Sequence, residues 1–179
     1  RQRLKLATHM AEKGAVLVDM NGRLVKRWTE VAAVPSPMRI LPGGFVMGGS
    51  ARRRPHQEAR ALVQVDWDGR IVWSFDRGDR IDEGEGRESW VARQHHDWQR
   101  EGSPVGYFAP GALPLVDRGR TLILAHKNVI NPAVSDKRLE DDRLLEVAWD
   151  GSVVWEWLAS DHVAELGFSE EARNTIYRH

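Results

Sequence analysis

The sequence predicts an all-β protein, mainly because one short pattern occurs three times along the chain. Each copy places apolar, β-branched runs on both sides of an Asp-Gly or Asn-Gly pair, which is the strongest short-range signal for a β-hairpin. The copies span residues 14–28, 62–75 and 143–157. We predict type I′ turns, because Gly69 supplies a positive φ and Asp68 tolerates one. Recurrence of one hairpin indicates a repeat architecture.

A tryptophan closes each of these hairpins, at Trp28, Trp73 and Trp155. In a repeat protein a bulky side chain near the end of each hairpin is suited to packing against the neighbouring unit. We therefore interpret the three tryptophans as contacts between repeats and not as platforms for a substrate.

Composition excludes several classes of function. Lys plus Arg and Asp plus Glu both number 26, so the formal net charge is zero. This balance removes the usual electrostatic reason to expect nucleic acid or an anionic membrane as a partner. The chain has no cysteine, hence no disulfide and no thiolate chemistry. No apolar run approaches the roughly 20 residues of a membrane span.

The first part of the chain contains a second kind of hairpin. Residues 1–13 predict coil or a short strand before the first repeat, and residues 31–37 predict a loop. Residues 38–48 then predict two short strands around a Pro42-Gly43-Gly44 turn. The basic run at 52–56 is interpreted as a solvated loop.

The second part carries the densest polar cluster. Residues 76–89 lack an apolar period and predict a surface loop, after which Arg93–Trp98 reads Arg-Gln-His-His-Asp-Trp. Residues 120–125 predict a buried strand that ends directly on His126-Lys127-Asn128. Residues 131–142 are interpreted as a polar excursion. Segments beginning at Ser160 and Ser169 predict short capped helices.

These elements combine into similar units. Residues 37–75 predict one four-stranded unit, 95–157 a second with insertions, and 14–28 the outer half of a preceding one, while 158–179 form a helical linker. Four short antiparallel strands per unit are typical of a β-propeller blade. The chain would thus be a single propeller domain of about two and a half blades, too few to close. We expect it to be a fragment, with closure by other copies or a β-sandwich as alternatives.

Two segments resemble the bacterial aryl-sulfate sulfotransferase family. They are Leu145–Trp157, with its Trp-Asp-Gly turn, and Gln94–Trp98, with its His-His-Asp run. The resemblance implies a complete propeller of six blades in a periplasmic or secreted enzyme. It also implies sulfuryl transfer from an aryl sulfate to a phenol through a transient sulfohistidine, with no cofactor and no metal. The expected partners are an aryl sulfate and a phenol, and the chain could also form a homodimer.

The chemistry of such a transfer defines the candidate residues. A nucleophile that is neutral near pH 7 and a base for the phenol are both roles that imidazole fulfils. The catalytic candidates are His95, His96 and His126. Donors and orienting groups are needed around the sulfuryl oxygens, and the substrate-binding candidates are Asp97, Lys127, Asn128 and Arg93.

Adjacent strand residues point to opposite faces, so only one of His95 and His96 can face a central channel squarely. We favour His96, with Asp97 orienting a ring, while the nucleophile is either His126 or a histidine beyond residue 179. The preceding unit offers Pro35-Ser36-Pro37 at the corresponding place and no histidine.

Two other classes of function remain open. A non-catalytic propeller could bind a small molecule or a partner protein, and a metal- or quinone-dependent enzyme could use the same scaffold. A metal site would be built from His95 or His96, Asp97 and His126. We rank it below sulfuryl transfer, because no close-spaced ligand motif is present.

Overall fold

The computed structural model is mostly β-sheet, with one short helix near the C-terminus. Among the residues it describes, no helix combines the length and the hydropathy needed to span a bilayer. The structure describes residues 5–8, 14–32, 37–53, 57–82, 84, 86–103, 111 and 113–178. In chain order the elements are β1 (Lys5–Thr8), β2 (Ala15–Val18), β3 (Leu24–Trp28), β4 (Arg39–Leu41), β5 (Phe45–Gly49), β6 (Arg52–Arg53), β7 (Glu58–Ala59), β8 (Leu62–Val65), β9 (Ile71–Phe75), β10 (Asp79–Asp82), β11 (Glu88–Val91), β12 (Gln94–Arg100), β13 (Thr121–Val129), β14 (Leu139–Val147), β15 (Val153–Leu158) and α1 (Glu170–Arg178).

The described residues form four antiparallel sheets, of which β10 and β11 make a separate two-stranded one and the other three are larger. The first has the strand order β1-β2-β3, the second β4-β5-β8-β9, and the third β15-β14-β13-β12-β7-β6. The four strands of the second sheet lie between residues 39 and 75, where a unit at 37–75 was predicted, and strands β12 to β15 of the third lie between residues 94 and 158, where a unit at 95–157 was predicted. The short strands β6 and β7 leave the second unit and join the edge of the third sheet through the pair Gln94–Ala59.

The three repeated hairpins share one register, including an irregularity. Val65 pairs with Ile71 and Gln64 with Trp73, so Val72 is an extra residue that forms a β-bulge. The same skip occurs at Val25 in the first hairpin and at Val154 in the third. The repeat that the sequence predicts is therefore also a repeat of backbone geometry.

The turns of these hairpins differ from the prediction. The Gly69 N–H donates to the Asp66 carbonyl, so the central residues of the turn are Trp67 and Asp68. Only Gly69 has a positive φ, at 92°, and Asp68 does not. This is a type I turn followed by a glycine bulge, and the predicted type I′ turn is wrong. The Asp66 carboxylate favours it by accepting the N–H groups of Asp68 and Arg70.

Three further predictions need correction. The segment 76–89 is not only a loop, because β10 and β11 form a hairpin there. Strand β13 continues through His126 to Val129, since β14 pairs with it along its full length. The segment at Ser160 forms a short 3₁₀ turn and no α-helix, whereas the helix at Ser169 is confirmed, with the Ser169 hydroxyl accepting the Ala172 N–H.

The sheets pack face to face, so the central strands β5 and β8 of the second sheet are buried on both sides. Side chains that alternate along a strand point to opposite faces, and Val46 accordingly packs toward the first sheet while Met47 packs toward the third. The first interface comprises Ala15, Leu17, Trp28, Val31, Val46, Val63 and Val65. The second comprises Leu41, Met47, Leu62, Trp73, Phe75, Ala92, Trp98, Ile123, Ala125, Leu145 and Val147. Each fully buried aliphatic or aromatic side chain contributes about 2 kcal/mol.

Two of the three tryptophans link one sheet to the next, as predicted. The Trp28 indole donates to the Asp66 carbonyl at 2.8 Å, and that of Trp73 donates to the Trp149 carbonyl at 2.9 Å. Both acceptors belong to the turn of the next repeated hairpin. Trp155 is different: it is 46% exposed, and the described residues provide it with no such contact.

Candidate functional site

The predicted polar cluster lies where β12 enters the third sheet beside β7. Arg93 and His96 have φ values of 54° and 53°, in the left-handed region that side-chain-bearing residues rarely adopt. Pairing with β13 is interrupted between Gln94 and Trp98. Side chains along a regular strand alternate between the two faces of the sheet, but this alternation is lost at the break. As a result, Arg93, Gln94 and His95 are all buried.

The structure brings two of the three predicted histidines together. The rings of His95 and His126 are stacked, with centroids 3.7 Å apart and planes 18° apart. Asp142 lies opposite His126 in the register of β13 and β14. One Asp142 oxygen is 3.1 Å from His95 Nε2 and 3.6 Å from His126 Nε2. Both imidazoles therefore converge on a single carboxylate.

His95 is the buried member of this pair. Burial lowers its pKa to about 4, helped by the neighbouring His126 and opposed by Asp142. Its imidazole is thus uncharged near neutral pH. Neither ring nitrogen forms a well-aligned hydrogen bond with a described residue, although Nε2 is close to Asp142 and a weak interaction with the Ala125 backbone acts to raise the pKa. A buried polar group without a hydrogen bond is costly and needs an explanation.

Carboxylates surround the other side of His126. Its Nδ1 lies 3.1 Å from both Glu58 Oε2 and Glu140 Oε1. The buried Arg93 guanidinium contacts the same two groups, at 2.9 Å and 3.5 Å, and also Asp79 at 3.3 Å. One guanidinium is therefore held among three carboxylates.

The remaining predicted residues lie outside this cluster. His96 is exposed and meets His95 edge-on at 5.1 Å. Asp97 orients no imidazole, because it pairs with Arg39 at 2.7 Å and accepts the Trp98 N–H. Lys127 pairs with Glu156 at 2.9 Å.

Among the predicted residues, Asn128 follows His126 by two positions on β13, opposite Glu140 on β14. Of the predicted set, only His95, His126 and Arg93 thus meet in the cluster.

Sequence reasoning missed the acidic members of the cluster. Glu140 and Asp142 lie two positions apart on β14, which places both on the same face of the sheet as their neighbour His126. The run Glu140-Asp141-Asp142 could have indicated these acidic residues, but residues 131–142 were predicted to be a polar loop. Glu58 gives no local signal, because β7 reaches the site only by joining a sheet formed from distant residues.

Two groups of donor atoms in the described residues could each hold a metal ion. One group is His95, His126 and Asp142, and the other is Glu58, His126 and Glu140. Within each group the donor atoms lie within 4.8 Å of one another. Imidazole nitrogen and carboxylate oxygen are ligands that zinc and other divalent transition metals accept.

Comparison of the chain with family models, with characterised proteins and with solved structures finds no significant match. The function therefore has to be argued from the geometry of the cluster.

Proposed function

We propose that this chain is a metal-dependent enzyme domain in which His95, His126 and Asp142 bind a divalent cation. The observation that carries the proposal is the convergence of the three donors, with His95 buried and lacking a well-formed hydrogen bond. A metal would use the lone pair that the protein leaves unsatisfied.

The charge of the cluster also favours a cation. Among the described residues, the cluster contains four carboxylates, those of Glu58, Asp79, Glu140 and Asp142, and one guanidinium, that of Arg93, which pairs with the first three. An anionic sulfate ester would be repelled by this arrangement. A divalent ion would be attracted to it and could then polarise an anionic substrate as a Lewis acid.

The two donor groups have different roles in this proposal. Arg93 already provides the positive charge between Glu58 and Glu140. Glu58 can accept a hydrogen bond from the Nδ1–H group of His126. The lone pair of His126 is then on Nε2, the nitrogen near Asp142. Carboxylates that orient ligating histidines in this way are a regular feature of metal sites. Glu58 is therefore a positioning residue.

Exposure favours a catalytic site over a purely structural one. The Asp142 side chain is more than half exposed, so the ion would be open to solvent on that side. Three protein ligands leave room for water and substrate, as in catalytic zinc sites, whereas structural sites are closed by four. Metal-assisted hydrolysis or transfer at an ester is the reaction class that fits.

Sulfuryl transfer through a histidine is the second candidate. The uncharged His95 ring and the resemblance of the His-His-Asp segment favour it. Its weakness is the pairing of both predicted cations, since Arg93 is held by three carboxylates and Lys127 by Glu156. Export to the periplasm is part of the same proposal and rests on the resemblance alone.

We also propose that the three sheets are successive blades of a β-propeller. Their stacking, the shared bulge and the hydrogen bonds from Trp28 and Trp73 to the turn of the next repeated hairpin support this architecture.

Metal content tests the first proposal directly. Protein stripped with a chelator and titrated with Zn²⁺ in a calorimeter is expected to bind one equivalent. His126→Gln and Asp142→Asn should abolish binding, and Glu58→Gln should weaken it about 10–100-fold. His96→Gln is the matched control, because this neighbouring histidine lies outside the cluster, and it should bind normally. Absence of binding, or binding that survives both ligand variants, would refute the metal site.

Turnover of 4-nitrophenyl sulfate separates the two candidates. Activity that is lost with chelator and restored by metal supports the metal enzyme. Activity that needs a phenol, survives the chelator and disappears in His126→Gln would favour sulfuryl transfer instead.

A further inference from the structure

A bulge in strand β12 determines where His95 lies. Gln94 pairs with Ala125 and Trp98 pairs with Ile123, so three residues of β12 are opposite a single residue of β13. Two of the three are therefore extra, and the strand leaves the ladder at this point. His95 belongs to this segment, residues 95–97, which we call the 95–97 bulge. Among the described residues it has no cross-strand partner, so its position depends on what holds the bulge.

The other two proposed ligands are fixed by regular strand pairing. The His126 N–H donates to the Arg93 carbonyl at 3.0 Å, and Asp142 is opposite His126 in the register of β13 and β14. Only His95 therefore has to be placed by contacts other than the ladder.

The 95–97 bulge has a backbone conformation that needs support. His96 has a φ of 53°, and a residue with a side chain keeps such a conformation only where the surrounding contacts impose it. Before the bulge, the buried pair between Arg93 and Glu58 provides contacts of this kind. The end of the bulge must be held by other groups.

Arg39, on β4 of the second sheet, holds that end. Its Nη2 lies 2.7 Å from Asp97 Oδ1, and its Nη1 donates to the Trp98 carbonyl. The same Asp97 oxygen accepts the Trp98 N–H at 2.7 Å. A planar guanidinium can bind two acceptors at once in a fixed geometry. Arg39 thus joins the last residue of the bulge to the first paired residue after it.

Trp98 gives this contact a rigid base. Its ring is buried in the second interface, its indole donates to the Pro37 carbonyl at 2.9 Å, and the Arg39 guanidinium lies 4.8 Å from its ring centroid. From the other end, Gln94 Nε2 donates to the Asp97 carbonyl at 3.3 Å. Side chains from both ends therefore close the bulge.

We infer that Arg39 is a positioning residue for the metal site, because it holds the 95–97 bulge in the conformation that stacks His95 on His126. The inference rests on the proposed metal-dependent function, in which His95 is a ligand. Among the described residues, Arg39 donates to Asp97 and Trp98 and to none of the three ligands, so it acts through the backbone. The geometry of the site then depends on the packing of the second sheet against the third.

Zinc affinity tests the inference. Arg39→Gln and Asp97→Ala should each weaken Zn²⁺ binding about 10–100-fold, as is typical when a group that orients a ligand is removed. Asp97→Asn should restore most of the affinity, since its amide oxygen can still accept the Trp98 N–H. Arg80→Gln is the matched control, because Arg80 also pairs with a carboxylate at 2.9 Å but lies on β10, and it should bind Zn²⁺ normally.

Nuclear magnetic resonance of the metal-free protein provides a readout that does not require metal binding. Stacked imidazoles shift the ring protons of each other upfield. The Hε1 signals of His95 and His126, assigned with the His→Gln variant of each, should be shifted in this way in the wild type. They should move toward ordinary positions in Arg39→Gln and Asp97→Ala, and they should stay in place in Arg80→Gln. Urea unfolding should show that each variant is folded.

The two measurements together decide the inference. It would be overturned if Arg39→Gln left both the Zn²⁺ affinity and the ring signals unchanged, or if affinity fell while the ring signals stayed in place. A wild-type protein that binds no Zn²⁺, with ring signals that still move in Arg39→Gln, would instead refute the metal site and support the positioning of His95 by Arg39.

Discussion

Neutralising Glu58 should show how much the buried ion pair between Glu58 and Arg93 contributes to the free energy of unfolding. Arg93 Nε and Glu58 Oε2 are 2.9 Å apart, and the two side chains are 1% and 0% exposed. Removing one partner of a buried pair typically costs 3–5 kcal/mol, because the other charge stays desolvated. Arg93 retains Asp79 and Glu140, both partly exposed. We therefore expect Glu58→Gln to lower the free energy of unfolding by about 3 kcal/mol, the low end of that range.

The pair Arg80–Glu88 is a matched control. Its atoms are also 2.9 Å apart, but its side chains are 60% and 50% exposed. Water screens such a pair, so Glu88→Gln should cost less than about 1 kcal/mol. The two pairs have equal distances and very different burial, so the comparison tests the effect of burial.

Urea unfolding followed by tryptophan fluorescence measures both variants, with chelator present so that metal binding adds nothing to stability. Equal losses for Glu58→Gln and Glu88→Gln would refute the reasoning, because the cost would then not come from desolvation. A loss below about 1 kcal/mol for Glu58→Gln would do the same.

Three other changes follow from the same structure. Trp73→Phe removes the indole donor to the Trp149 carbonyl and should cost about 1–2 kcal/mol, measured by urea unfolding. Gly151→Ala places a side chain at a φ of 85° with no atom within 4 Å of the new Cβ, so we expect a loss of about 1 kcal/mol from conformation alone. Burial alone would raise the pKa of Glu156, but hydrogen bonds from Lys127 and Arg143 outweigh it and lower the pKa below its ordinary value of 4.5. Its ion pairs therefore stabilise the protein above that pH and lose their effect as the pH falls through the lowered pKa, so Glu156→Gln should reduce the acid sensitivity of unfolding.

Each of these changes has a contrast within the chain. Trp90→Phe, at an exposed indole, should leave stability nearly unchanged. Gly102→Ala should cost clearly more than Gly151→Ala, because its Cβ would lie 2.5 Å from the Leu113 carbonyl oxygen. Equal stability of the two glycine variants would contradict the expected steric clash between a Cβ at Gly102 and the Leu113 carbonyl oxygen. An unchanged acid transition in Glu156→Gln would contradict the role of its ion pairs.

Hairpins were predictable because their signals are local. The alternation of apolar residues and the turn glycine specify each hairpin within about 15 residues, and the boundaries of the second and third sheets follow from them. The turn type was mistaken, since the Asp66 side chain bonds the backbone of the turn and leaves Gly69 alone with a positive φ. The Asp-Gly pair alone does not show whether a hydrogen bond from the preceding Asp66 side chain will favour a type I turn over a type I′ turn.

The candidate site shows the limit of sequence reasoning more clearly. Sequence alone marked His95, His126 and Arg93, because clustered imidazoles and a nearby cation are chemically conspicuous. It favoured His96, whereas His95 is the residue that stacks on His126, since the backbone at Arg93 and His96 departs from regular strand geometry. It also paired the histidines with their sequence neighbour Asp97, whereas Asp97 is held by Arg39 from the second sheet.

The sequence by itself determined the balanced charge and the repeated hairpins, and the hairpins depend on residues close together in the chain. Only the tertiary structure decided that Glu58 from β7 and Asp142 from β14 meet His126. Those contacts depend on which strands become neighbours, and strand pairing joins residues as far apart as 58 and 126. The chemistry of the cluster changed accordingly, from a site expected to bind an anion to one that is rich in carboxylates and suited to a metal ion.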